Sequence, residues 1–289
     1  MSQNIPPAAA EFVGEVAGLV SPPIICLKLM ELIQQDESSA QDLGEVIGND
    51  PNLTSRLLRL VNSAYFNFPR KIETVSRAIS IVGTRELYSL VVAISAVNTF
   101  SKIATSLVNM DTFWRHSIFT GLMARELARE KHVLHPERLF VAGLLHDIGM
   151  LVLFNRSPEE AADLLLIAAG DEEVFYQAEI EKLGFTHADI GGLLMQEWQL
   201  PETLQEAVLY HHAPYMAGPG KVDAALVHMA NILANRSELG SFAEDHTIET
   251  EFDQSVWKTL DIERGSLDID LLIGNAGLQF AETIGVMFS

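Results

Sequence analysis

The chain has 289 residues, 48% of them hydrophobic and 20% charged, and a formal net charge of −20. That length suits one large domain or two ordinary ones around a sizeable core. So acidic a surface repels phosphate backbones, which argues against nucleic-acid binding; a small phosphorylated ligand would need a local cationic centre.

At the N-terminus, "MSQNIPPAAAEF" lacks the basic start and apolar block of a secretory signal, and the lone Cys26 permits no internal disulfide. A cytoplasmic location is therefore expected. No repeat of 20–50 residues and no low-complexity tract interrupts the chain. In "NDPNLTSRLLRLVNSA", Asp50 suits an N-cap and Pro51 a first helical position, and Leu53, Leu57 and Leu60 follow at helical spacing. In "TVSRAISIVG", Thr74 caps, Val75, Ala78, Ile79 and Val82 pack, and Gly83 ends the helix. Thr84 opens another helix with Leu87, Leu90, Val91 and Ile94 inside; its stretch "LVVAISAV" is too short to span a bilayer, so no membrane insertion is expected. Arg56, Arg59, Arg77 and Arg85 could gather into an anion site, but ion pairs with nearby acids on helix surfaces are the plainer reading.

A division is expected within "SKIATSLVNMD" (Ser101–Asp111), giving two packed helical subdomains, 1–108 and 109–289. Beyond it, Ser157–Pro158–Glu159–Glu160 marks a helix start whose acids match the dipole. "GSFAEDHTIETEFDQ" (Gly240–Gln254) reads as an acidic surface loop, and Leu267–Phe288 as a final apolar helix packing back on the body. Short β-branched runs between turn residues are scarce, so the fold class is all-α.

Nine histidines punctuate this pattern. His132 and His135, in "REKHVLHPER", and His246, in the acidic loop, read as solvated loop residues. His228, in "ALVHMANILA", reads as a hydrogen-bonded structural histidine sooner than a ligand. His116 lies on an amphipathic helix in "FWRHSIF", and His146 and Asp147 lie side by side in the apolar "GLLHDIGML". His187 follows Thr186, which forms a capping pair with Asp189; in a first helical turn the dipole keeps an imidazole neutral and competent for metal. His211 and His212 close a helix before "APY". Buried ionisable groups are costly singly, and one divalent cation satisfies several at once; helix bundles build such sites from facing helices. Spacing alone leaves metal binding and a hydrogen-bonded polar cluster equally open. An adjacent His–Asp pair within one helix points about 100° apart, so a shared centre would have to lie near the helix edge.

"GLLHDIG", with "WRHS" upstream and "HADIGGLLMQEWQLP" and "HHAP" downstream, resembles the HDOD family, a branch of the HD superfamily of metal-dependent phosphohydrolases. "NDPNLTSRLLRLVNSAYFNFPRKIETVSRAISIVGTREL", with "VSPPI" before it, resembles the amino-terminal HDOD signature. The resemblance runs from about Val16 to Leu233 and implies an HDOD-specific helical bundle followed by an HD-like one, in a bacterial signalling setting. It implies His116, His146 and Asp147 as ligands of one metal, with Asn231 where the family's later aspartate stands, and His187, His211 and His212 as ligands of a second. Iron, manganese or zinc, one ion or two, would suit such donors. Two features tied to hydrolysis are missing: Met150 stands where the enzymes often carry a lysine, and Ala213–Pro214–Tyr215 stands in place of the GYP motif. The expectation is a non-catalytic signalling module that binds a regulator, kinase or cyclase; the alternative is a metal-dependent phosphohydrolase acting on a phosphoester or nucleotide.

Overall fold

Helix starts follow capping chemistry. The Asp50 carboxylate accepts the N–H groups of Asn52 and Leu53, both at 3.0 Å, and Thr74 accepts that of Arg77 at 3.2 Å. Thr186 and Asp189 form a reciprocal capping box, as do Ser39 and Asp42. Gly83, at φ 101°, ends one helix and begins the next.

The computed structural model describes residues 5–15, 21–35, 38–63, 66, 68–103, 105–241 and 252–288, and among these there is no strand. The fold is all-α. In chain order the helices are α1 (Pro7–Gly14), α2 (Ile24–Ile33), α3 (Ala40–Gly48), α4 (Pro51–Val61), α5 (Val75–Val82), α6 (Thr84–Phe100), α7 (Met110–Glu130), α8 (Glu137–Leu145), α9 (Ile148–Arg156), α10 (Pro158–Ala168), α11 (Glu172–Leu183), α12 (His187–Glu197), α13 (Glu202–Leu209), α14 (Lys221–Asn235), α15 (Gln254–Leu260) and α16 (Ile269–Met287), with a 3₁₀ turn at Pro214–Met216. None among the described residues is long and apolar enough to cross a membrane. His246 and positions 242–251 of the acidic stretch lie outside the described residues.

Packing divides the chain into two units, Pro22–Lys102 with Gly277–Ser289, and Met1–Ser21 with Ile103–Ala276. Both chain ends thus belong to a different unit from the one that a cut into 1–108 and 109–289 assigns them. The reason is local packing. Phe12 of α1 rests on Phe185, ring centroids 5.2 Å apart, and Glu15 pairs with Arg156 at 2.6 Å. At the other end, Arg56 donates to the carbonyl of Met287, tying the end of α16 to α4.

In the smaller unit, α6 is buried from Leu87 to Val97 and is flanked by α2, α4 and α5. Asn62, just past α4, accepts from the N–H of Ile72 and donates to the carbonyls of Ile72 and Leu58, each at 2.7 Å, holding the following loop against the helix.

In the larger unit, α7 packs on α8 and α14, and α12 packs on α9 and α13. The α7–α8 crossing is nearly backbone on backbone: a Cβ on Gly143 would stand 2.7 Å from the Gly121 Cα. That proximity sets His116, on α7, beside the end of α8. Arg138 of α8 then grips Asp223 of α14 through Nε and Nη2, both 2.7 Å from a carboxylate oxygen.

Candidate metal centre

"GLLHDIG" is not one continuous helix. α8 stops at Leu145, Asp147 takes φ −98° and ψ 9°, and α9 begins at Ile148. His146 keeps helical dihedrals, φ −56° and ψ −39°, so the break falls at Asp147 itself. The Asp147 carboxylate turns toward its neighbour, with Oδ2 3.1 Å from His146 Nε2.

Around Asp147 stand four imidazoles, each anchored from behind. The Nδ1 atoms of His116, His146 and His211 lie 2.6, 2.7 and 2.7 Å from the carbonyl oxygens of Gly240, Gly143 and Val208. A carbonyl only accepts, so those Nδ1 atoms carry the proton. The Nδ1 of His187 lies 2.6 Å from Glu179 Oε2, while Glu179 Oε1 accepts the His187 backbone N–H at 3.0 Å. In the neutral rings the lone pair is therefore on Nε2. Those Nε2 atoms face Asp147 at 3.9 Å (His116), 3.1 Å (His146), 3.4 Å (His187) and 3.5 Å (His211). The Nε2 atoms of His116 and His146 are 3.4 Å apart, and those of His187 and His212 are 3.2 Å apart. The two Asp147 oxygens and His211 Nε2 are buried with no hydrogen-bond partner.

Lone pairs pointing at lone pairs in a dry interior repel one another unless a proton on some of the Nε2 atoms or a metal cation lies among them. The donor set fits a divalent metal, with neutral imidazoles, a carboxylate, and a hydrogen-bonded acceptor fixing each ring from behind. Burial pulls His116 down to about 4, the neighbouring His146 adding to it. Burial also pulls His211 to about 4 against the pull of Asp147. His212 is lowered well below its ordinary value by burial and by His211. For His146 burial is outweighed by Asp147, and for His187 by Glu179 and Asp147, so both are raised above 6.5. Burial would raise Asp147, yet the imidazoles, His146 foremost, hold it well below the usual carboxylate range.

Asp147, His187, His211 and His212 each bring one donor atom to within 4.8 Å of the others, and so do His146, Asp147, Glu172 and His211. His116 borders this cluster through His146. Asn231 meets the cluster through His116, with which it shares a side-chain hydrogen bond, and its Nδ2 donates to Glu172 Oε1 at 2.5 Å. His228 is satisfied on both nitrogens, by the His211 carbonyl at 2.7 Å and the Asp253 N–H at 3.1 Å, and is structural. His132 and His135 are exposed in turns, with φ of 53° and 54°.

Two carboxylates at the site escape a reading of the sequence, Glu172 and Glu179. Both lie in "DEEVFYQAEIEKLG", where Glu172 at the helix start reads as a solvated dipole partner and Glu179 as one of several acids along the helix. Their spacing is the overlooked signal. Glu172, Phe175 and Glu179 follow the i, i+3, i+7 pattern of a buried face, which places both carboxylates toward the core. Glu179 is fully buried there.

The sequence and fold have known relatives. Residues 19–214 match the model of the HDOD domain. An uncharacterized protein of Treponema pallidum (strain Nichols) is 27% identical over 206 residues, which cover 71% of this chain but 39% of that protein. The crystal structure of a "Putative phosphohydrolase" from Shewanella amazonensis SB2B superposes with a TM-score of 0.71 at 25% identity, covering 97% of this chain and 98% of that one. An HDOD domain protein with unknown function from Geobacter sulfurreducens gives 0.70 at 25% identity, with 97% and 96% covered. Matched over most of its length by the family model, and sharing the all-helical fold of these structures, the chain belongs to the HDOD domain family.

Proposed function

We propose that the chain is a bacterial, cytoplasmic signalling module whose HD-like unit, built mainly from Ile103–Ala276, holds a metal of iron, manganese or zinc type. Its HDOD-specific unit, built mainly from Pro22–Lys102, presents a surface to a regulator, kinase or cyclase, and the module turns over no substrate. The ligands are His116, His146, Asp147, His187, His211 and His212. The observation that carries the metal is the ring of Nε2 lone pairs around the unpartnered, buried oxygens of Asp147.

Two features support a structural or sensing role over turnover. His116, His146, His187 and His211 are fully buried and Asp147 is 1% exposed, while His212 and Glu172 are the partly exposed members of the two donor groups; so enclosed a donor set suits a structural site better than one that must admit a substrate. Met150 is also buried, so the position where hydrolases of this superfamily often carry a lysine offers phosphate nothing but an apolar side chain.

A second reading is a metal-dependent phosphohydrolase acting on a phosphoester or nucleotide. It is favoured by two donor groups that overlap at Asp147, whose two oxygens suit a shared ligand, and by the name of the Shewanella relative. Such a centre supplies Lewis-acid chemistry to a phosphoryl oxygen.

The test uses protein purified without a His-tag. Elemental analysis should find bound metal that Asp147→Ala loses; a content near zero after loading refutes the centre. Metal-loaded protein offered phosphodiesters, nucleotides and cyclic dinucleotides should release no product, while a pull-down recovers a signalling partner. Turnover that vanishes in Asp147→Ala, with no partner recovered, would establish the second reading instead.

A further inference from the structure

Glu172 opens α11, and its carboxylate is clasped on both oxygens. Asn231 Nδ2 donates to Oε1 at 2.5 Å and Asn235 Nδ2 donates to Oε2 at 2.7 Å. The two asparagines are one helical turn apart on α14, with Asn235 Nδ2 3.5 Å from Asn231 Oδ1. The clasp leaves Oε1 facing the imidazoles, 3.5 Å from His212 Nε2. One oxygen of Glu172 also lies within 4.8 Å of donor atoms from His146, Asp147 and His211. Glu172 and Asp147 thus put two carboxylates at one partly dry site, where like charges repel unless a cation lies between them.

The donor count sharpens the point. His211 appears in both donor groups, but its Nδ1 is committed to the Val208 carbonyl, so its single Nε2 serves one ion only. If His211 joins His187 and His212, the His146 side of the site retains His146, Asp147 and Glu172, with His116 next to His146. Without Glu172 that side would hold one carboxylate and an asparagine amide, a weak donor set for a hard divalent cation.

We propose that Glu172 is a metal ligand and supplies the charge that Asn231 lacks. Asn231 and Asn235 are its positioning residues. The anionic ligand has moved from α14 to the start of α11, and the asparagine left on α14 aims it. This rests on the cluster around Asp147 being a metal centre.

The test is Mn²⁺ titration calorimetry of EDTA-stripped, tag-free full-length chain, with helicity and melting checked for each variant. Asp147→Ala should lose binding. Glu172→Gln keeps the side chain's size and should weaken Mn²⁺ binding by about 10- to 100-fold or remove one class of site, at least the loss that follows disruption of partners behind ligands. Asn231→Ala should weaken it less. The double variant Glu172→Gln/Asn231→Asp, which returns a carboxylate to α14, should recover most of the loss. Should Glu172→Gln fold poorly, Glu172→Ala and the double variant decide the matter by the same comparison. Wild-type affinity in Glu172→Gln, beside loss in Asp147→Ala, would overturn this assignment and leave the centre standing. No Mn²⁺ binding by the wild type would overturn both.

Discussion

Gly149, the second residue of α9, is where the centre is most sensitive to a single added methyl group. A Cβ there would lie 2.0 Å from the His187 carbonyl oxygen and 2.9 Å from both the His187 carbonyl carbon and the Gly191 N. These are backbone atoms of the first five residues of α12, so no rotamer change relieves the contact. Restoring an ordinary separation of 3.4 Å requires the two helices to part by about 1.4 Å. His187 would move with that turn, away from Asp147, which its Nε2 now faces at 3.4 Å, and from Glu179 at 2.6 Å. Gly149→Ala should therefore cost about 3 kcal/mol, the upper end for overpacking, because both sides of the clash are main chain. At about 2–4 °C per kcal/mol for a unit of this size, the metal-free protein should melt several degrees lower. Calorimetric melting of stripped protein reads the packing, and Mn²⁺ titration reads the displaced imidazole. A variant that melts with the wild type and binds Mn²⁺ equally well would refute the claim that the α9–α12 contact places His187.

Four further outcomes are expected. Metal affinity should fall as pH is lowered, because His146 and His187, both raised above 6.5, must lose a proton before Nε2 can bind. In the metal-free protein those two groups stabilise the fold below pH 6.5 and lose that contribution as pH rises through their folded values. His116 and His211, held near 4, do the reverse and cost stability as pH falls from 6.5 toward 4. Titration calorimetry and melting across pH check both signs, and a pH-independent affinity would contradict them. Glu179→Gln takes the charge from behind His187 and should weaken metal binding by about 10- to 100-fold, read by the same titration; unchanged affinity would make Glu179 merely a packing residue. Asn62→Ala removes three hydrogen bonds around Ile72 and should destabilise the smaller unit by about 1–3 kcal/mol in urea unfolding, with metal content unaltered.

Local chemistry carried much of this protein's description into its sequence. Asp50–Pro51, Thr74, Gly83 and the Thr186–Asp189 pair mark helix ends because a cap is satisfied within three or four residues, and all are helix boundaries in the structure. The motifs around His116, His146, Asp147, His187 and His211 were legible because polar groups within apolar stretches are expensive and therefore conspicuous. What the helices do at His146–Asp147 was not, since nothing in the apolar run "GLLHDIGML" marks an interruption at Asp147. Glu172 looks like an ordinary acid at a helix start and Glu179 like one more acid along the same helix; only the packing of α11 turns Glu179 behind His187 and Glu172 toward Asn231. Likewise the contacts of Phe12 with Phe185 and of Arg56 with Met287 join residues far apart in the chain, and no sequence window contains both partners. Capping and periodicity act over a few residues and can be read in order, whereas which side chains meet around Asp147 is decided by the crossings of helices that are distant in sequence.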